Sequence, residues 1–145
     1  MNFIILGLTV SFLWGLIPIL DKYVLASMTP QVFLFMYMSF IFACALFFFL
    51  FNHKEIIKKI PTVKPSHVFL TAMTASCSFF GVLLYLFLLK DNDSHLVSAI
   101  SYSAPMFTLL LAIFILKEKP SLMSIAGIAF IIMGVWCVAI AQMKK

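Results

Sequence analysis

The chain contains no arginine and only five acidic residues, and charged side chains make up just 10% of it. Globular domains carry about a quarter charged residues, so this scarcity excludes a soluble domain with a solvated surface. The formal charge of +5 comes entirely from lysine. These lysines sit between apolar blocks and form no basic domain, which argues against a nucleic-acid partner. Glycine is scarce, and no glycine loop that would cradle a phosphate is present, so the chain alone offers no ATP-driven chemistry. Cysteine is limited to Cys44, Cys77 and Cys137. Each falls inside an apolar block without metal-ligand spacing, so they read as small buried hydrophobes and not as disulfides or ligands. His53, His67 and His95 lie at loops or block ends and offer no nucleophile, base and orienting partner. No enzyme, metal site or cofactor is expected.

What the chain has in abundance is apolar surface, with 64% hydrophobic and 16% aromatic residues in 145. The excess is arranged in long blocks separated by short polar breaks, the pattern of a multi-span helical membrane protein. Five spans are expected, at about 3–20, 31–51, 68–89, 96–116 and 122–141, as one all-α transmembrane domain over residues 1–145. The lipid bilayer is thus the first partner. The opening Met1-Asn2-Phe3 lacks the basic flank of a cleaved signal peptide, so the first block reads as a span. Asn52–His67 is the longest polar connection, ended as helix by Pro61 and Pro65. Asp21–Thr29 forms the first break, and Thr29-Pro30 reads as a helix start. Lys54, Lys58, Lys59, Lys64, Lys117 and Lys119 fall on the side of the N-terminus, against Lys22, Lys90, Lys144 and Lys145 on the other. The positive-inside rule then favours a cytoplasmic N-terminus and an external C-terminus.

Polar and small residues are distributed along faces. Gly7, Ser11, Gly15, Pro18 and Lys22 share one face of the first span, as a packing seam or a cavity lining. Trp14 is too deep for an interfacial belt residue. On the third span Thr71, Thr74, Ser78, Gly81 and Tyr85 are spaced three, four, three and four, which aligns hydroxyls along the whole helix. That stripe reads as cavity lining or as interhelical hydrogen bonding. The fourth span, capped by Ser94, carries Pro105 near its midpoint with Ser98, Ser101, Tyr102 and Ser103 before it. Proline deprives the Ser101 carbonyl of its helical donor, and in hydrocarbon that costs several kcal/mol unless protein or water replaces it. A kink against other helices or a water-filled cavity is therefore expected. Gly127 and Gly134 lie two turns apart on the fifth span, a face suited to helix packing or a subunit interface.

In order and spacing these features resemble the EamA-type module of the drug/metabolite transporter superfamily. Trp14-Gly15, Lys22 and Pro30 resemble the module's start. Gly81, the Leu88-Leu89-Lys90 turn, the Ser98–Pro105 helix, Glu118, Gly127 and Gly134 resemble its remainder. The resemblance covers nearly the whole chain and implies one five-helix half of an inverted-repeat transporter, working as a homodimer or with a second module. It implies that the first, third and fourth spans line the substrate path. Two departures stand out. Many members carry an arginine in the second span, where this chain has Tyr37 and Met38. Small multidrug resistance relatives use a glutamate in the first span, whereas here the nearest carboxylate is Asp21 and Glu118 sits at a helix boundary as a structural residue.

The expected function is a secondary transporter in a cell inner membrane, exporting a small polar metabolite such as an amino acid. Its path would use Trp14, Thr71, Thr74, Ser78, Tyr85, Ser98, Ser101, Tyr102 and Pro105. Gly7, Gly81, Gly127 and Gly134 would serve packing or dimerisation. Two alternatives remain: a non-transporting subunit that assembles with or stabilises a partner protein, and a proton-coupled exporter of the small-multidrug type.

Overall fold

A computed structural model describes residues 2–143, so Lys144 and Lys145 of the lysine count lie outside the described residues. Its elements are helices α1 (Phe3–Leu25), α2 (Pro30–Lys59), α3 (Pro65–Asp91), α4 (Ser94–Ser101), α5 (Ala104–Leu111) and α6 (Leu122–Met143). A 3-10 turn at Ile60–Thr62 prolongs α2, and a π turn at Ala112–Leu116 prolongs α5. Among the described residues five helical stretches are long and apolar enough to cross a bilayer, because α4, α5 and the π turn together make one span, Ser94–Leu116. The protein is an all-α membrane bundle. By contacts the chain forms two compact units, Met1–Leu20 with Asp91–Lys145, and Asp21–Lys90.

Several local expectations need correction. Asp21 and Lys22 do not open a loop; α1 continues to Leu25. Most of Asn52–His67 is helix and not connection: α2 runs through it to Lys59, and α3 already begins at Pro65. The extension is held by Asn52 Nδ2 donating to the Phe48 carbonyl at 3.0 Å and by the Lys59–Glu55 ion pair one turn apart. Pro61 and Pro65 fall at the starts of turns, where a missing N–H costs nothing. At about 1.5 Å per residue, α2 is about 45 Å long, more than a hydrocarbon core of about 30 Å. Its lysine-bearing end therefore reaches the headgroup layer. The cap of α4 is Asp93, not Ser94: the backbone at Asp93 is extended, and its carbonyl accepts from the N–H groups of Leu96 and Val97, each at 3.1 Å.

Little of the chain's apolar surface is buried by the chain itself. Leu25, Leu34, Leu86 and Leu89 are buried in one unit, Leu96 and Val97 in the other. Phe35 at 75% and Phe114 at 77% exposure represent the rest. Surface of that kind is stable only against lipid or another apolar protein face. The three cysteines are exposed as well, so they are not buried in a core formed by the chain itself. Hydroxyls inside the helices are satisfied locally: Thr9, Ser11, Ser39 and Ser76 each donate to the carbonyl four residues back.

In the Asp21–Lys90 unit the charge of Lys22 has a definite use. Its Nζ donates to the carbonyls of Leu89 at 2.7 Å and Lys90 at 2.8 Å, in the last turn of α3. Terminal carbonyls lack intrahelical donors, and the negative end of the helix dipole lies there. This explains why α1 carries a lysine past its apolar block. Lys22→Met, which keeps the chain length and removes the donor, should destabilise the folded protein by about 1–3 kcal/mol, read as a lowered midpoint in detergent unfolding. Lys22→Arg should lose less.

Candidate functional site

Two prolines shape the Met1–Leu20 and Asp91–Lys145 unit. Pro18 lies inside α1 and has no N–H for the carbonyl four residues earlier, that of Trp14. The Tyr102 hydroxyl donates to that carbonyl at 2.9 Å. A side chain 88 positions along the chain thus supplies the donor that Pro18 removed. Tyr102 reaches it from the break between α4 and α5, which Pro105 creates. The fourth span does not merely kink there. Tyr102 N–H closes on the Ser98 carbonyl at 2.9 Å, Ser103 N–H on Ile100 at 3.2 Å and Met106 N–H on Ser103 at 3.0 Å. The Ser103 hydroxyl adds a second donor to Ile100, at 2.7 Å. None of these bonds uses the Ser101 carbonyl.

Beside this break lies a cavity of about 730 Å³, within the range of small-molecule sites. Ser11, Trp14 and Gly15 of α1 line it, with Ser98, Tyr102, Pro105 and Thr108 from both sides of the break. Ala112, Glu118 and Ile128 contribute from the π turn, the following loop and α6. Lys117 ends the π turn in the left-handed region, at φ 55° and ψ 31°, with its N–H on the Ala112 carbonyl. Glu118 N–H bonds the same carbonyl at 3.1 Å. The unusual backbone therefore ties Glu118 to a residue of the lining.

Of the path residues expected from the sequence, Trp14, Ser98, Tyr102 and Pro105 line this one cavity. Ser101 stands at the break but outside the lining. Thr71, Thr74, Ser78 and Tyr85 belong to α3 in the other unit. Thr71 and Thr74 donate to their own backbone, at His67 (2.8 Å) and Leu70 (3.0 Å), so no interhelical bond is needed to satisfy them. Ser78 lines a separate cavity of about 570 Å³ with Tyr37 and Met38. A Cβ built on Gly7, Gly15, Gly81, Gly127 or Gly134 meets nothing within 4 Å. The close helix approach that such glycines permit is not used within the chain.

Thr108 and Glu118 are cavity residues that the sequence reading does not single out, whereas Ser11 lies on the face read as a packing seam or a cavity lining. Ser11 is legible once Trp14 is chosen, because it shares a face with Gly15 one turn on. Glu118 is not, since only the π turn brings it to the lining. The Trp14 carbonyl was legible too: the rule that exposes Ser101 before Pro105 exposes Trp14 before Pro18.

Among the described residues, no group of three or more His, Cys, Asp and Glu side chains is arranged to hold a metal ion. A sequence model of the EamA-like transporter family matches residues 1–140. No curated protein and no solved structure matches the chain.

The Tyr102–Trp14 bond is testable by a double-mutant cycle in detergent unfolding. Tyr102→Phe leaves the Trp14 carbonyl without its donor and should cost about 1–3 kcal/mol. In a Pro18→Ala background the helix regains its own N–H, and the same change should cost at least about 0.5 kcal/mol less, the signature of coupled sites. Equal costs in both backgrounds would mean that Tyr102 does not replace the missing donor.

Proposed function

The chain belongs to the EamA-like transporter family, and we propose that it is a secondary transporter exporting a small polar metabolite such as an amino acid. The observation that carries this reading is the cavity beside the α4–α5 break, walled by Trp14 and Tyr102 and bearing the hydroxyls of Ser11, Ser98 and Thr108. Secondary transporters commonly bind substrate at discontinuous helices, where freed backbone groups meet a cavity. Here the Ser101 carbonyl adjoins such a discontinuity.

In this reading residues 1–145 act as one transmembrane module that pairs with a second copy or a second module. Alternating access arises as one module rocks against the other. The open faces of Gly127 and Gly134 on α6 support a packing surface for that second module. The same open faces are what a non-transporting subunit would use to hold a partner protein, which is the second reading. The α3 hydroxyls Thr71, Thr74, Ser78 and Tyr85 are candidates for substrate contact within their own unit. The N-terminus lies in the cytoplasm, with Lys54, Lys58 and Lys59 at the inner headgroup layer. Proton-coupled drug exchange draws less support, because no carboxylate of the first span lines the cavity.

Pro105→Ala separates these readings. It returns a backbone N–H towards Ser101 and favours a continuous helix. Efflux of amino acids from loaded proteoliposomes should fall about tenfold, equivalent to about 1.4 kcal/mol in the barrier, with membrane insertion unchanged. Equal loss of insertion and efflux would reduce Pro105 to a folding residue. A reporter active only outside the cell, fused to the C-terminus, should be active; an inside population beside it would indicate antiparallel copies.

A further inference from the structure

The cavity beside the α4–α5 break has a charge of one sign. Among its lining residues Glu118 is the single ionisable carboxylate, and no lysine or histidine joins it. Among the described residues the ion pair formed is Lys59–Glu55, in the other unit, and neither Lys117 nor Lys119 forms an ion pair with Glu118. The remaining walls are apolar or hydroxylic, with the rings of Trp14 and Tyr102 partly exposed to the space. Building on the transport reading above, we infer that this cavity selects small amines in their ammonium form, held by Glu118 against the Trp14 and Tyr102 rings, and rejects anions.

Three physical effects act in the same direction. A carboxylate in a cavity with low-dielectric walls concentrates cations and repels anions. An ammonium donating to a carboxylate makes a charge-assisted hydrogen bond, stronger than a neutral one. Aromatic faces attract the same cation through their quadrupoles, Trp most strongly. An anionic substrate would meet none of these and would find no cationic partner among the lining residues. Zwitterions fall between: their ammonium fits Glu118, and their carboxylate has only hydroxyl donors such as Ser98 and Thr108. The backbone supports the assignment, because the left-handed Lys117 and the bond from Glu118 N–H to the Ala112 carbonyl fix residue 118 beside the lining.

The test uses three molecules that share a phenylethyl group and differ in charge: phenethylamine, phenylalanine and 3-phenylpropionate. Binding to the full-length protein in nanodiscs is read from Trp14 fluorescence in a Trp136→Phe background, and flux is read separately in proteoliposomes. Phenethylamine should bind most tightly and phenylpropionate least. Glu118→Gln should weaken phenethylamine about tenfold or more, the loss expected for one charge-assisted bond, and bring the three ligands close together. Glu118→Asp, which keeps the charge, should restore the order and guards against a folding defect. The inference is overturned if phenylpropionate binds as well as phenethylamine, if none of the three binds, or if Glu118→Gln keeps the order intact. Selective binding of phenethylamine without flux of any of the three would uphold the site and overturn the transport reading instead.

Discussion

The hydrogen bond from the Tyr102 hydroxyl to the Trp14 carbonyl answers a constraint that the bilayer imposes on every part of this chain. In hydrocarbon no water is available to a backbone carbonyl that has lost its helical donor. Pro18 creates such a carbonyl in α1, and Pro105 opens the fourth span so that Tyr102 stands where it can serve it. The two prolines are therefore complementary: one makes a vacancy and the other frees the residue that fills it. The cavity follows from that arrangement, because a helix broken at Tyr102–Ser103 cannot pack along its whole length against its neighbours.

The same accounting explains the charged residues. Lys22 satisfies the final carbonyls of α3 in the Asp21–Lys90 unit, so a cation near the end of a span becomes a helix cap. Glu118 follows a π turn whose first carbonyl, that of Ala112, accepts from the N–H groups of residues 117 and 118. Hydroxyls within the helices turn back on their own backbone. With these needs met inside each unit, the chain can leave large phenylalanine and leucine side chains to lipid and dispense with a large core.

Much of this was open to reading in advance. Block length and polar breaks gave the five spans, and Pro105 with its preceding hydroxyls marked the break in the fourth span. Trp14, Ser98, Tyr102 and Pro105 were identifiable because deep aromatic residues, hydroxyls and a proline within an apolar run are individually expensive there. Helix ends were less legible. Lysines at 54, 58 and 59 look like a loop, but a helix carries them once it has left the hydrocarbon, where charge no longer costs. Asp21 and Lys22 look like a break for the same reason. The hydroxyl stripe on α3 is visible in sequence as a periodic face; that Thr71 and Thr74 satisfy their hydroxyls on their own helix is not.

The sequence by itself determined that this chain lives in a membrane, how many times its helices are long enough to cross, and which backbone groups its prolines leave without donors. Those follow from composition, length and the covalent structure of proline, none of which depends on distant residues. Only the tertiary structure decided which side chain supplies the missing donor, and which carboxylate joins the cavity. Tyr102 meets Trp14 across 88 positions, and Glu118 reaches the lining through a π turn and a left-handed lysine. Such meetings depend on the relative placement of helices within a unit, and local pattern carries no record of it.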